Sequence, residues 1–195
     1  MEPDLPVSRE AQEKLEAYEA LLREWNPRIN LVAPNDLGRL RERHIRDSAQ
    51  LAPLLPPGVL GDLGSGGGLP GLVLAILRDG PVHLVESDRR KSAFLLEAAR
   101  RLALPQVTIH PRRIEAAALP PLAALTARAL APLPVLLGHA HRLLAPGGVA
   151  VFPKGRTAEA ELTQAAAGWL MRVERFPSAT DPDSTILRLT EVRPA

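Results

Sequence analysis

A short apolar run, GVLGDL at 58–63, leads into GSGGGLPG at 64–71, and a second apolar run, LVLAIL, follows at 72–77. So many glycines make a chain segment entropically expensive to order, and their use is to let backbone N–H groups come close to a ligand or to another piece of backbone. A buried strand, a glycine loop and a helix in that order form the opening unit of an α/β fold. The next apolar stretch, VHLVE at 82–86, ends in an acid about twenty residues after the loop, where a carboxylate can accept hydrogen bonds from both hydroxyls of a ribose.

The pattern continues downstream. VTIH (107–110), LAALTA (122–127) and VAVF (149–152) read as buried parallel strands, with helical candidates at 70–78, 89–103 and 132–144 between them. LMRVERF (170–176) and TILRLTEV (185–192) follow, joined by the turn-rich PSATDPDS. The reading is a doubly wound, mostly parallel seven-stranded α/β sheet closed by a hairpin that supplies one antiparallel edge strand.

Before the sheet the text is helical. Ser8 can cap a helix whose Leu15, Tyr18, Leu22 and Trp25 recur at helical spacing, and Asn26-Pro27 should stop it. A second helix is expected from Asp36 to Leu55, ended by Pro56-Pro57. Residues 1–57 therefore form an N-terminal helical extension, and 58–195 the ligand-binding domain, the two making one compact unit. Met1 is followed by Glu2, Pro3 and Asp4, which predicts no secretory signal. No apolar run is long enough to span a bilayer, so no membrane partner is expected. The chain has no cysteine, which excludes disulfides, thiolate metal sites and thiol nucleophiles and fits a cytoplasmic protein. A monomer is expected, and no metal.

Net charge is only +2, from 24 basic and 22 acidic residues, so the balance alone announces no nucleic acid. The distribution says more. RLRERHIRDS (39–48) gathers four arginines and His44 against Glu42 and Asp47. That makes Arg39, Arg43, His44 and Arg46 candidates for RNA phosphates.

Strand, glycine loop, helix and terminal acid point to an adenosine-containing ligand. Gly66, Gly68 and Gly71 satisfy GxGxxG, which keeps a dinucleotide such as NAD, and hence an oxidoreductase, open. Asp62, close before Gly64, suits a loop for S-adenosylmethionine. No Tyr-x-x-x-Lys pair and no GxxxxGK[ST] is present.

Five segments, in order, carry a more specific likeness: NPRINLVAPNDLGRLRERHIRDS, DLGSGGGLPG, RRIE, ARALAPL and PKG. Through them the chain resembles the bacterial 16S rRNA guanine-N7 methyltransferases, also called glucose-inhibited division protein B, from about Asn26 to the last strands. The resemblance implies the class I methyltransferase fold, S-adenosylmethionine as donor, and 16S rRNA or the 30S subunit as partner. Carried over by motif, Gly64 and Leu69 contact the cofactor, Ile114 and Glu115 line the adenine side, and Glu86 holds the ribose. Arg128 lies near the methionine carboxylate, a group that a guanidinium can bind through two hydrogen bonds.

Arg128 and Lys154 are the candidates nearest the chemistry, with Lys154 at the open edge facing an RNA phosphate or the guanine. His44 and Asp47 are expected to hydrogen bond on one helix face and tie the extension to the sheet, and Asn30 to satisfy backbone groups between helices. Guanine N7 offers a free lone pair, so the reaction needs alignment and electrostatics rather than a strong base. An RNA-binding assembly factor that keeps this sheet without catalysis is the other alternative.

Overall fold

The computed structural model describes residues 7–195; the Met1–Asp4 reading and the first residues of the 1–57 extension lie outside the described residues. Seven strands form one sheet: β1 (Leu60–Leu63), β2 (Val82–Val85), β3 (Val107–His110), β4 (Leu122–Ala127), β5 (Leu144–Lys154), β6 (Trp169–Pro177) and β7 (Thr185–Pro194). Their spatial order is β3-β2-β1-β4-β5-β7-β6. β1 to β5 run parallel, and β7 is antiparallel to both of its neighbours. The antiparallel strand is thus not at the edge, as the sequence suggested. The β6–β7 hairpin folds back so that β7 enters beside β5, and β6 becomes the outer strand.

Side-chain alternation along the strands makes two cores. Leu60, Leu84, Ala124 and Val151 face one side, while Leu63, Val85, Leu125 and Phe152 face the other. The first side is covered by α1 (Arg9–Ile29), α3 (Gly71–Leu77) and α4 (Arg89–Arg101), with Leu15, Tyr18, Leu22 and Phe94 in a single cluster. The second is covered by α5 (Leu133–Leu143) and α6 (Ala158–Ala165). The extension therefore shares its core with the sheet.

Ser8 caps α1 by accepting from the N–H of Ala11. Pro27 does not stop this helix, which runs on to Ile29. A proline near a helix end removes only one internal hydrogen bond, and here the exit is secured otherwise. Asn30 takes the left-handed conformation (φ 46°), and the buried Asn26 carboxamide accepts from the N–H groups of Leu31 and Val32. Asn26, not Asn30, thus satisfies the backbone of the turn through its side chain.

The expected helix from Asp36 to Leu55 is broken into 3-10 turns (Pro34–Arg39, Ala52–Leu54), a π turn (Arg41–Arg46) and a single α turn, α2 (Asp47–Ala49). Pro34, Gly38 and Pro53 disfavour a continuous helix. The wide turn at 41–46 buries His44 and Ile45 against the domain.

Candidate functional site

The strand order reverses between β1 and β4, since β2 and β3 extend the sheet on one side of β1 and β4 and β5 on the other, and ligands of open α/β sheets sit beyond the carboxyl ends of the strands at this point. The loop after β1 is the glycine segment, and the residue after β4 is Arg128. Gly64 and Arg128, far apart in the sequence, are thereby placed on the same rim, each following a residue of the Leu63–Ala127 pair.

Two buried acids hold the glycine loop from either side. Asp62 accepts from the Thr126 hydroxyl (3.0 Å) and from the N–H of Gly71 (3.2 Å). Gly71 is the only residue that fits there, because a Cβ would lie 2.6 Å from Asp62 Oδ2 and 2.4 Å from a Leu84 methyl. Burial pushes Asp62 up to about 6, against the pull of its hydrogen bonds and of Arg128. Glu86 accepts from Gly66 N–H (2.8 Å) with one oxygen and from Asp88 N–H (2.7 Å) with the other. Gly66 has φ of +55°, and the space over its α-carbon is open apart from the Gly64 carbonyl at 3.8 Å. From above, the Tyr18 hydroxyl of α1 bonds the Gly67 carbonyl.

The sequence candidates fall into two groups. Gly64, Leu69 and Glu86 belong to the loop and its anchor, with Leu69 buried. Ile114 and Glu115 open a 3-10 turn just past β3, where Ile114 packs against the second core and Glu115 is exposed. β2 and β3 are neighbours, and Glu86 N–H bonds the His110 carbonyl, so this turn flanks the Glu86 end of the loop.

A cleft of about 810 Å³ opens beyond the ends of β4 and β5, lined in part by Arg43, His44, Arg128, Pro153, Lys154 and Thr180. Arg128 Nη1 lies 3.0 Å from His44 Nδ1 and donates to Asp47 Oδ2 at 3.5 Å. His44 Nε2 is 3.2 Å from Asp36 Oδ2. The expected His44–Asp47 bond is thus not formed: the broken helix turns His44 toward Asp36 and Arg128. Asp47 accepts instead from Gln50 (2.9 Å) and from Thr180 in the β6–β7 loop (2.8 Å).

Lys154 is turned inward, donating to the Ala131 carbonyl (3.0 Å) and to Glu161 (2.8 Å). Burial works against the Glu161 charge, but hydrogen bonds from Lys154, Leu133 N–H and Thr157 outweigh it and hold the carboxyl below its ordinary value. Of the arginines in 39–46, Arg39 is held by Glu42, and Arg43 stands 3.7 Å from Asp36. Sequence reasoning passed over Glu161 and Thr180, which line the cleft, and Asp36 and Gln50, which hold His44 and Asp47. It also missed α6, whose apolar face is little more than Ala158, Leu162 and Ala165. No group of acidic or histidine side chains that could hold a metal ion occurs among the described residues.

The family profile described as rRNA small subunit methyltransferase G matches residues 11–186. A protein of that name from Rhodospirillum centenum is 60% identical over 190 residues, covering 96% of this chain and 88% of its own. Its namesake from Gluconobacter oxydans is 51% identical over 188 residues, covering 96% and 97%. Among solved structures, the O-methyltransferase TomG from Streptomyces achromogenes, in complex with S-adenosylmethionine, aligns with TM-score 0.60 at 16% identity over 95% of this chain and 92% of that one. The glycopeptide N-methyltransferase MtfA, also a complex with that cofactor, aligns with TM-score 0.63 at 12% identity over 75% and 86%. Fold, switch-point loop and nearly full-length identity lead to one assignment: the chain belongs to the rRNA small subunit methyltransferase G family.

Proposed function

We propose that this protein transfers a methyl group from S-adenosylmethionine to N7 of a guanine in 16S rRNA, acting as a cytoplasmic monomer on the free RNA or the 30S subunit. The observation that carries the reading is the glycine loop, pinned by Asp62 and Glu86 and opening beside Arg128 at the switch point. No described helix is long and apolar enough to cross a membrane.

The residues present fit the cofactor. Gly66 keeps its backbone open to a ligand, and each Glu86 oxygen carries one backbone hydrogen bond, leaving lone pairs for ribose hydroxyls. Gly64 and Leu69 would lie along the methionine portion, Ile114 and Glu115 along the adenine, and Arg128 against the carboxylate. When bound, S-adenosylmethionine supplies an electrophilic methyl carbon on a sulfonium.

The chain's own part is alignment. Guanine N7 presents its lone pair in the plane of the base, so no proton need be removed before attack. The cleft beside Arg128 gives the base a place next to the loop, and proximity of this kind lowers a barrier without a strong general base. Lys154 uses two of its three N–H donors internally and keeps one for the acceptor side. Arg39, Arg43 and Arg46, with His44 behind them, supply the positive rim for RNA phosphates.

The test is methylation of 16S rRNA from a strain lacking this protein, followed by mapping of the modified base. Methyl incorporation at a guanine N7 is expected. Modification of another atom would refute the acceptor. RNA binding without incorporation would instead favour the assembly-factor reading. Stabilisation by S-adenosylhomocysteine but not by NADH separates this proposal from an oxidoreductase.

A further inference from the structure

A guanidinium has five N–H donors and no acceptor, so the 3.0 Å approach of Arg128 Nη1 to His44 Nδ1 requires a lone pair on that nitrogen. The other ring nitrogen must then carry the hydrogen, and it lies 3.2 Å from Asp36 Oδ2, an acceptor. Two contacts on opposite sides of the ring thus select one form, the neutral imidazole with hydrogen on Nε2.

The guanidinium has little else to hold it in place. Its contact with Asp47 is long at 3.5 Å, and the other oxygen of that carboxylate is engaged by Gln50 and Thr180. The backbone fixes where the side chain starts, since Ala127 ends β4 and Ala129 has φ of +50°. Its far end is set by His44.

The charged groups around the imidazole come from each neighbouring element. Asp36 and Arg43 belong to the turns of the extension, with Arg43 at the Asp36 oxygen that His44 leaves open, Asp47 begins α2, Arg128 follows β4, and Asp181 of the β6–β7 loop lines the same cleft. Burial and Arg128 both lower the basicity of His44, and Asp36 and Asp47 oppose them.

We infer that His44 is the positioning residue for Arg128, and that protonation of its Nδ1 releases the guanidinium and makes cofactor binding acid-sensitive. The reason is local: protonation replaces an acceptor by a donor and sets two cations against each other at hydrogen-bond distance. This rests on the reading of Arg128 as the cofactor's carboxylate contact.

The experiment measures S-adenosylhomocysteine affinity by calorimetry at about pH 5.5 and about pH 7.5, a window in which histidine titrates. Asp62, raised to about 6, does so as well, so the acid dependence that belongs to His44 is the part its replacement removes. It uses wild type, His44→Asn, His44→Phe and Arg128→Ala, each checked for folding by circular dichroism. Wild-type affinity should fall on acidification, by less than the about tenfold worth of one good hydrogen bond, because burial and Arg128 keep part of His44 neutral at the lower pH. Asparagine keeps an acceptor near the Nδ1 position and cannot titrate, so His44→Asn should bind within about threefold of wild type at the higher pH and show a smaller acid dependence than wild type. His44→Phe should bind about tenfold more weakly at the higher pH. A long-range 15N–1H spectrum of the wild type should show His44 bare at Nδ1 and protonated at Nε2.

A protonated Nδ1 at neutral pH would overturn the inference, as would acid dependence as large in His44→Asn as in the wild type. So would wild-type affinity in His44→Phe when Arg128→Ala has lost it. Unchanged affinity in Arg128→Ala would instead sink the carboxylate assignment itself, and this coupling with it.

Discussion

The Tyr18 hydroxyl, in the middle of α1, donates its hydrogen to the carbonyl oxygen of Gly67 in the glycine loop. Burial holds the phenol far above its ordinary value, so it stays a donor at every physiological pH. The chain's only tyrosine therefore ties the helical extension to the loop that faces the ligand. Tyr18→Phe leaves the ring in place and orphans a buried carbonyl, which costs about 1–3 kcal/mol. Urea unfolding should show that loss, and S-adenosylhomocysteine affinity should fall with it. A variant as stable as wild type would mean that the contact is energetically idle.

Asp62 gives the fold a pH dependence of unusual sign. Its carboxyl is raised from 3.8 to about 6 by burial, so between these values the folded chain holds a proton that the unfolded chain has lost. Stability is then greatest below the lower value, falls as pH rises through the window, and is level above it. The difference corresponds to about 3 kcal/mol at most. Asp62→Asn cannot titrate, so relative to wild type it should gain stability between about pH 4 and about pH 7. Equal slopes for the two proteins in denaturant titrations across that window would rule this out.

Much of this was legible in the sequence, and the gaps have physical causes. Strands β1 to β4 could be read because each is short, largely apolar and bounded by breakers, and GSGGGLPG with Glu86 marked the loop and its anchor. The helix end at Pro27 was misread because the buried Asn26 carboxamide takes over the backbone N–H groups five and six residues on, a local cap that the Asn-Pro pair does not announce. The helix expected over 36–55 runs across the breakers Gly38 and Pro53, and the shape of the segment is set by His44 and Asp47 reaching Arg128 and Thr180, residues 84 and 133 positions further on in those pairs. The placement of β7 inside the sheet leaves no local signal at all, since a hairpin can add to an edge through either strand.

Besides the ribose contact proposed for it, Glu86 holds the N–H groups of Gly66 and Asp88 with its two oxygens. A carboxamide has one acceptor where the site needs two, so Glu86→Gln must set an NH2 group against a backbone donor. We expect Glu86→Gln to weaken S-adenosylhomocysteine binding about tenfold or more. The Gly66 amide should also exchange with solvent faster than in the wild type. Slow exchange at Gly66 in this variant would show that the loop does not depend on the carboxylate.

Arg43 offers a test of the RNA rim that spares the cofactor. Its guanidinium is half-exposed, lines the cleft and stands 3.7 Å from Asp36. Arg43→Gln should reduce the salt dependence of RNA affinity by about one counterion and leave S-adenosylhomocysteine affinity unchanged. An unaltered salt slope would move the phosphate path to another surface. The first turn of α4 is then the place to look, since Arg89, Arg90 and Lys91 form no ion pair among the described residues.

Lys154 and Glu161 form a largely buried pair on the far wall of the cleft, 2.8 Å apart. Lys154→Met leaves Glu161 charged with one strong partner fewer, and Glu161→Gln does the converse, so each alone should cost about 1–3 kcal/mol. In the double variant neither charge is stranded, and a double-mutant cycle should return a coupling energy of about 1–2 kcal/mol. Turnover separates the structural role from the acceptor role. If the third N–H of Lys154 serves the RNA, the double variant regains stability but keeps a raised KM for RNA, with S-adenosylhomocysteine binding intact. Recovery of stability and KM together would confine Lys154 to holding α6 and the Ala131 segment against the sheet.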